Sequence, residues 1–292
     1  TWLKANVARL IFSKQSLTSA GWFFFRTNSP SEPALALNAS TPVKKIVIIN
    51  QFIFNNSNFI KDIFSTSDKK YSLKQDIKIQ EVIKDKNINL LNFYNKDNNE
   101  DLASFIFKEF EFIFLSPNET KLKTLDKWIK AEEKRDKKNQ DKKYSKPIDT
   151  NSIYNEFETV LTEIKKGDVF DEDKRAPNGS SLAFSLLIGN RNFLFLGDAH
   201  PSLVEQEMSK LKNTKFDLCK LSHHGSNKNT SINLLNTFEC NDFLICSDGC
   251  NSHDHPGLNT IGRVLLNNDN ANFYFTSDIK EMQKFKQLTQ IK

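Results

Sequence analysis

No stretch of the 292 residues approaches the roughly 20 consecutive apolar residues that a membrane-crossing helix requires. The most apolar candidate, Trp22-Phe23-Phe24-Phe25, is cut off at once by Arg26, so no membrane span is expected. Cysteine is scarce. The four thiols, Cys219, Cys240, Cys246 and Cys250, contain no C-x-x-C pair and are too few in so long a chain for a secreted disulfide framework. A reducing, cytoplasmic setting is expected, and a zinc ribbon is not. The chain lacks a charged-then-apolar leader and opens on Thr1 rather than Met, which fits a fragment or processed product. It also lacks an internal repeat, a long low-complexity tract and any collagenous pattern.

What is present is enough to fold. With 38% hydrophobic residues, 25 Phe and 26% charged residues, the chain can bury a core, and its length suits one large domain or two small ones. The formal net charge is +5, but the run Lys134 to Lys143 holds +4 of it. Charge so local reads as a solvated insertion rather than a surface for nucleic acid.

Residues 1–42 form an unassigned N-terminal segment, with a helix-like stretch at Trp2 to Phe12 and prolines at 30, 33 and 42. From Lys45 the chain alternates. Ile46 to Ile49 and Asn89 to Phe93 read as strands, Phe59 to Phe64 and Ile77 to Asp85 as helices. Phe105 to Phe107 and Phe110 to Leu115 read as a hairpin turning at Lys108-Glu109, and Thr124 to Lys138 and Ile153 to Lys165 as helices, so that a charged insertion falls near 120–165. Seven of the nine glycines and all five histidines lie between Gly179 and Gly262. There Ser181 to Ile188 and Asn192 to Leu196 read as strands joined at Gly189-Asn190. Ser202-Leu-Val-Glu205 reads as a capping box opening a helix to about Leu211. Strands follow at Phe216 to Leu221 and Asp242 to Cys246, and helices at Ser231 to Phe238 and Leu258 to Leu266, which predicts an α/β architecture.

Three successive strands end in clusters of small and polar residues: Gly197-Asp198-Ala199-His200, Ser222-His223-His224-Gly225-Ser226, and Ser247-Asp248-Gly249 with His253 and His255 close behind. If the strands run parallel, these clusters meet at one sheet edge, where imidazoles and a carboxylate suit zinc, iron or manganese. A lone His or a Gly-Asp at a strand end is more often a capping or turn residue, but that reading does not account for the gathering of every His within residues 200–255. Successive side chains on a strand alternate faces, so at most one of His223 and His224 is a ligand unless the backbone turns there. His253-x-His255 has no further ligand after it, and Ser226 beside His224 lacks the G-x-S-x-G elbow of a nucleophile.

The ordered motifs Asn178-Gly-Ser-Ser-Leu-Ala-Phe, Phe193-Leu-Phe-Leu-Gly-Asp-Ala-His-Pro, Leu221-Ser-His-His-Gly-Ser and Ser247-Asp-Gly followed by His255-Pro resemble the C-terminal half of metallo-β-lactamase-fold hydrolases, in the branch that includes the hydrolase domain of competence-type DNA-uptake proteins. The resemblance covers residues 175–280, extends more loosely over 43–120, and makes 43–292 one such domain. It implies a four-layer αβ/βα sandwich with two divalent cations, zinc or manganese. Asp198 would bridge the metals, His223 or His224 would bind the second, and His255 would assist catalysis in the pocket. Asn178, Ser180, His200 and Ser226 would contact substrate, with His200 at the rim. The family's H-x-H-x-D-H motif is absent, since no His precedes His200. The fold is therefore expected to be N-terminally incomplete, with one cation or none in this chain.

Two functions follow. One is a metal-dependent hydrolase acting, in its full-length form, on phosphodiester or other phosphate-ester bonds. The other is a catalytically inactive α/β module that binds a partner or nucleic acid. Substrate and oligomeric state are not legible.

Overall fold

The computed structural model describes residues 23–26, 49–53, 74–85, 89–133, 150–247 and 255–276. The helices read at Trp2 to Phe12 and Phe59 to Phe64, the Lys134 to Lys143 run, and Asp248, Gly249, Cys250 and His253 lie outside them. The described residues fall into two compact units, one reaching Phe93 and one from Tyr94 onward. In the first, β1 (Phe23–Arg26) pairs antiparallel with β2 (Ile49–Ile53), helix α1 (Lys74–Asp85) follows, and β2 pairs in parallel with β3 (Asn89–Leu91).

The second unit is built on one mixed sheet. β4 (Ser104–Phe107) and β5 (Phe110–Ser116) form the expected hairpin, with Lys108 taking a positive φ at the turn. Helices α2 (Glu119–Glu133) and α3 (Thr150–Gly167) come next, then a single turn, α4 (Ala176–Gly179). β6 (Ala183–Ile188) and β7 (Arg191–Phe195) form the second hairpin, closed at Gly189 with φ of 61°. Helix α5 (Pro201–Met208) leads to β8 (Lys215–Phe216) and β9 (Leu218–Lys220). A one-turn helix α6 (Ile232–Leu235), β10 (Glu239–Cys240), β11 (Asp242–Ile245), helix α7 (Leu258–Asn267) and β12 (Asn272–Phe275) complete it. The seven strands lie in the order β12-β11-β9-β7-β6-β5-β4. The first four are mutually parallel, as right-handed crossovers through helices allow, and the last three are antiparallel as hairpins require.

Strand alternation sorts the core onto two faces. Leu115, Ala183, Leu194, Cys219, Phe243 and Ile245 point to the helical face and pack with Phe157 of α3, Val204 and Met208 of α5, Leu234 of α6, and Ile261 and Val264 of α7. Phe112, Phe114, Phe184 and Phe195 stand on the other, also fully buried. Their neighbouring ring centroids lie 5.2–6.4 Å apart.

Two local readings are corrected. Ser202-Leu-Val-Glu205 is not a capping box: Pro201 sits at the first helical position, so the cap falls on His200, which makes no side-chain capping bond. Ser202 instead bonds Glu172, and Glu205 accepts from Ser231. The strand read over Phe216 to Leu221 breaks at Asp217, whose carboxylate takes the Arg191 guanidinium and the Asn192 backbone N–H.

Candidate functional site

The parallel strands β7, β9 and β11 bring Asp198, the His223-His224 pair and the segment containing His255 to their C-terminal ends, where a rigid sheet fixes loop origins. The turns there are tight. Gly197 has φ of 54°, and a Cβ on it would lie 2.4 Å from the Leu182 carbonyl oxygen, so no larger residue fits. After β9 the chain enters a 3₁₀ turn, Ser222–Gly225, in which His223 and His224 both take left-handed backbone with φ of 43° and 58°. Two consecutive non-glycine residues there store strain of about 1–3 kcal/mol each, and such strain persists where the surroundings over-determine it.

The turn overrides strand alternation. His223 and His224 both join His255: ring centroids are 5.0 Å apart for His223 and His255, 6.0 Å for His223 and His224, and 6.5 Å for His224 and His255. The three imidazoles are ordered by different partners. His224 Nδ1 bonds the Cys246 carbonyl oxygen, which leaves Nε2 to carry the lone pair. Its pKa is lowered by burial and by nearby Lys220, against the opposing pull of the Cys246 carbonyl and Asp198, so it is neutral at pH 7. His223 Nδ1 lies 3.1 Å from Asn229 Oδ1 and 3.6 Å from Asp173 Oδ2, and its Nε2 lies 3.4 Å from Arg175 Nη2. The Ser247 hydroxyl donates to the His255 carbonyl oxygen at 2.8 Å, tying the third strand end to the cluster.

Asp198 is 6% exposed, and its Oδ2 has no hydrogen-bond partner among the described residues. Its backbone carbonyl accepts from Asn229 Nδ2 at 3.3 Å, so Asn229 links Asp198 to His223. Asp173 and Arg175 belong to the same network, and sequence reasoning missed both. Burial pushes the Asp173 pKa up, but hydrogen bonds from His223, Arg175 and Asn178 together hold the carboxyl far below the usual carboxylate range. Buried Asn178 donates to Asp173 Oδ2 and lies 3.5 Å from His223 Nδ1.

His200 is corrected from rim to interior. It is 6% exposed, with Nδ1 2.8 Å from Lys121 Nζ and Nε2 3.2 Å from the Arg175 carbonyl oxygen. Its close packing explains Gly179, where a Cβ would lie 2.6 Å from the His200 ring. The His200 pKa is lowered by burial and then by Lys121. With two imidazoles depressed, the folded chain binds fewer protons than the unfolded one as pH falls below about 6.5, so both contribute stability that is lost toward acid. Ser180 and Ser226 are also buried. The Ser180 hydroxyl bonds the Ala176 and Lys121 carbonyl oxygens, and that of Ser226 accepts from the Lys228 backbone N–H. Burial raises the thiol of Cys219 well above its ordinary value, that of Cys240 to about 12 and that of Cys246 to about 11, so all three stay protonated at neutral pH.

Cation binding at this edge has a mixed fit. Buried Asp198 Oδ2, with no hydrogen-bond partner among the described residues, and the lone pair on His224 Nε2 suit a cation. Against it, His223 Nε2 faces a guanidinium, and no three His, Cys, Asp or Glu side chains among the described residues are placed to hold one ion. The described residues fit a partial donor set and do not fit a complete two-metal centre.

Fold and site together define a mixed α/β protein, its large sheet flanked by helices, with carboxylates and imidazoles gathered at the ends of parallel strands. No protein-family model matches the chain. Over 110 residues, 33% of its length, it is 24% identical to ComE operon protein 3 of Bacillus subtilis (strain 168). The matched stretch spans only 14% of that relative, and the likeness is a distant one. No described helix is long and apolar enough to cross a membrane.

Proposed function

We propose that the second unit is the hydrolase-like part of a protein that acts on phosphodiester or other phosphate-ester bonds, built on the four-layer αβ/βα sandwich its motifs resemble. In this reading Asp198 and His224 are the donors this chain contributes to a divalent cation, and the remaining ligands come from outside the described residues. The cation, when bound, would polarise the ester and acidify a bound water.

The reading rests on one observation: buried Asp198, whose Oδ2 has no hydrogen-bond partner among the described residues, shares a strand-end edge with three mutually close imidazoles. The distant likeness to ComE operon protein 3 supports it. Neutral His224, within the field of the Asp198 carboxylate, would offer Nε2 to that cation, and the attacking water gives its proton to His255. The water oxygen bonds to phosphorus as the ester P–O bond breaks, and half-buried His255 returns a proton to the leaving oxygen.

The test is hydrolysis of bis(p-nitrophenyl) phosphate by the full 292-residue chain supplied with zinc or manganese. Asp198→Asn and His255→Ala are each expected to slow turnover about 10²-fold or more. Turnover no faster than buffer with either metal, or unchanged in Asp198→Asn, contradicts the reading. The Arg175 guanidinium set against His223 Nε2, a nitrogen that a second metal would need, favours a second reading, binding without cleavage.

A further inference from the structure

Arg175 is the exposed cation of the cluster, and it is held from beneath. Buried Asp173 accepts from Arg175 Nε at 3.3 Å, from Nη2 at 3.4 Å and from the Arg175 backbone N–H at 2.9 Å. The same Nη2 approaches His223 Nε2 at 3.4 Å, while Asn229 engages the other ring nitrogen. A guanidinium carries five N–H donors, and those on Nη1 have no partner among the described residues, although 58% of the side chain is exposed. The two acidic residues just before Asp173 in the chain, Asp171 and Glu172, are already engaged. Asp171 pairs with Lys174 and Lys228, and Glu172 accepts from the backbone N–H and hydroxyl of Ser202. What remains open is the Nη1 end of a planar guanidinium, aligned by a buried carboxylate and set beside His223, whose ring meets that of His255; release of Nη2 from His223 completes a two-nitrogen fork. Such a preorganised fork matches phosphoryl oxygens, because the alignment is in place before the ligand arrives.

We propose that Arg175, held by Asp173, is the anion-binding group of this edge, and that it grips the phosphoryl oxygens of a phosphate ester, drawing the guanidinium off His223 Nε2. The ligand class rests on the phosphate-ester reading above; the binding itself does not require cleavage.

The experiment titrates the full chain, in EDTA and at constant ionic strength, with inorganic phosphate and with phenyl phosphate, following histidine ring nitrogens by NMR. Both probes are expected to bind saturably and to shift the His223 Nε2 signal. Arg175→Gln is expected to bind about tenfold more weakly or worse, and Arg175→Lys to fall between, because lysine keeps the charge and loses the fork. Arg175 is exposed, so these variants are expected to fold, which their thermal melts check. Absence of saturable binding, unchanged affinity in Arg175→Gln, or binding of inorganic phosphate alone overturns the proposal. Arg175-dependent binding without any phosphodiester turnover sustains it while the hydrolase reading fails.

Discussion

Replacing Asp168 with Ala is expected to lower the unfolding free energy by about 3–5 kcal/mol in urea denaturation at neutral pH. Its partner, Arg263, is 2% exposed in the middle of α7, where a charge is tolerated only if paired. Arg263 Nε and Nη2 reach the two Asp168 oxygens at 2.8 and 2.9 Å, Nη1 donates to the Asn227 and Thr230 carbonyl oxygens at 2.7 and 3.1 Å, and the Phe170 ring lies 5.0 Å from the guanidinium carbon. One side chain thus ties the loop after α3 and the segment just beyond the His223-His224 turn to α7. Removing the carboxylate leaves a buried guanidinium without its counter-charge. The double variant Asp168→Ala/Arg263→Met, which removes both charges, is expected to recover a large part of the loss. A cost below about 1 kcal/mol for Asp168→Ala is the value expected of a solvated surface pair and contradicts this account.

Phe184→Ala is expected to cost a similar amount, about 3–5 kcal/mol. Phe184 is fully buried in β6, with the rings of Phe112, Phe114 and Phe195 at 5.5, 5.9 and 5.2 Å. Truncation removes the centre of the stack, and the surrounding strands are hydrogen-bonded on both sides of β6, which limits collapse into the cavity. Ile106→Thr on edge strand β4, where the side chain is 68% exposed, is the matched control and is expected to change stability by no more than about 0.5 kcal/mol. Equal losses for the two variants contradict the placement of the core.

Much of this framework was legible because it follows from local rules. Gly189-Asn190 between two apolar runs gives a hairpin, and strands separated by helical spacers run parallel, so their polar ends meet. The gathering of His223, His224 and His255 was only half legible. Alternation along a strand sets neighbouring imidazoles apart, and nothing in Ser-His-His-Gly announces two successive left-handed residues. Asp173 and Arg175 were hidden in Asp171-Glu-Asp-Lys-Arg175, a charge run that reads as solvated surface; the structure buries Asp173 and leaves Asp171, Lys174 and Arg175 exposed. The Asp168–Arg263 pair spans 95 residues, and no local pattern marks it. His200 was misplaced because Pro201 moves the helix start onto it and Gly179 lets its ring pack inward.

The central claim is that distant parts of the chain bring their imidazoles into one cluster, and ring-proton NOE spectroscopy on histidine-labelled protein tests it most directly. The chain has five histidines, so the spectrum is simple enough to assign by single His→Gln variants. The account predicts NOEs between the rings of His223 and His255, whose centroids are 5.0 Å apart, and weaker ones from His224 to both. A folded chain in which these three rings show no mutual contacts contradicts it.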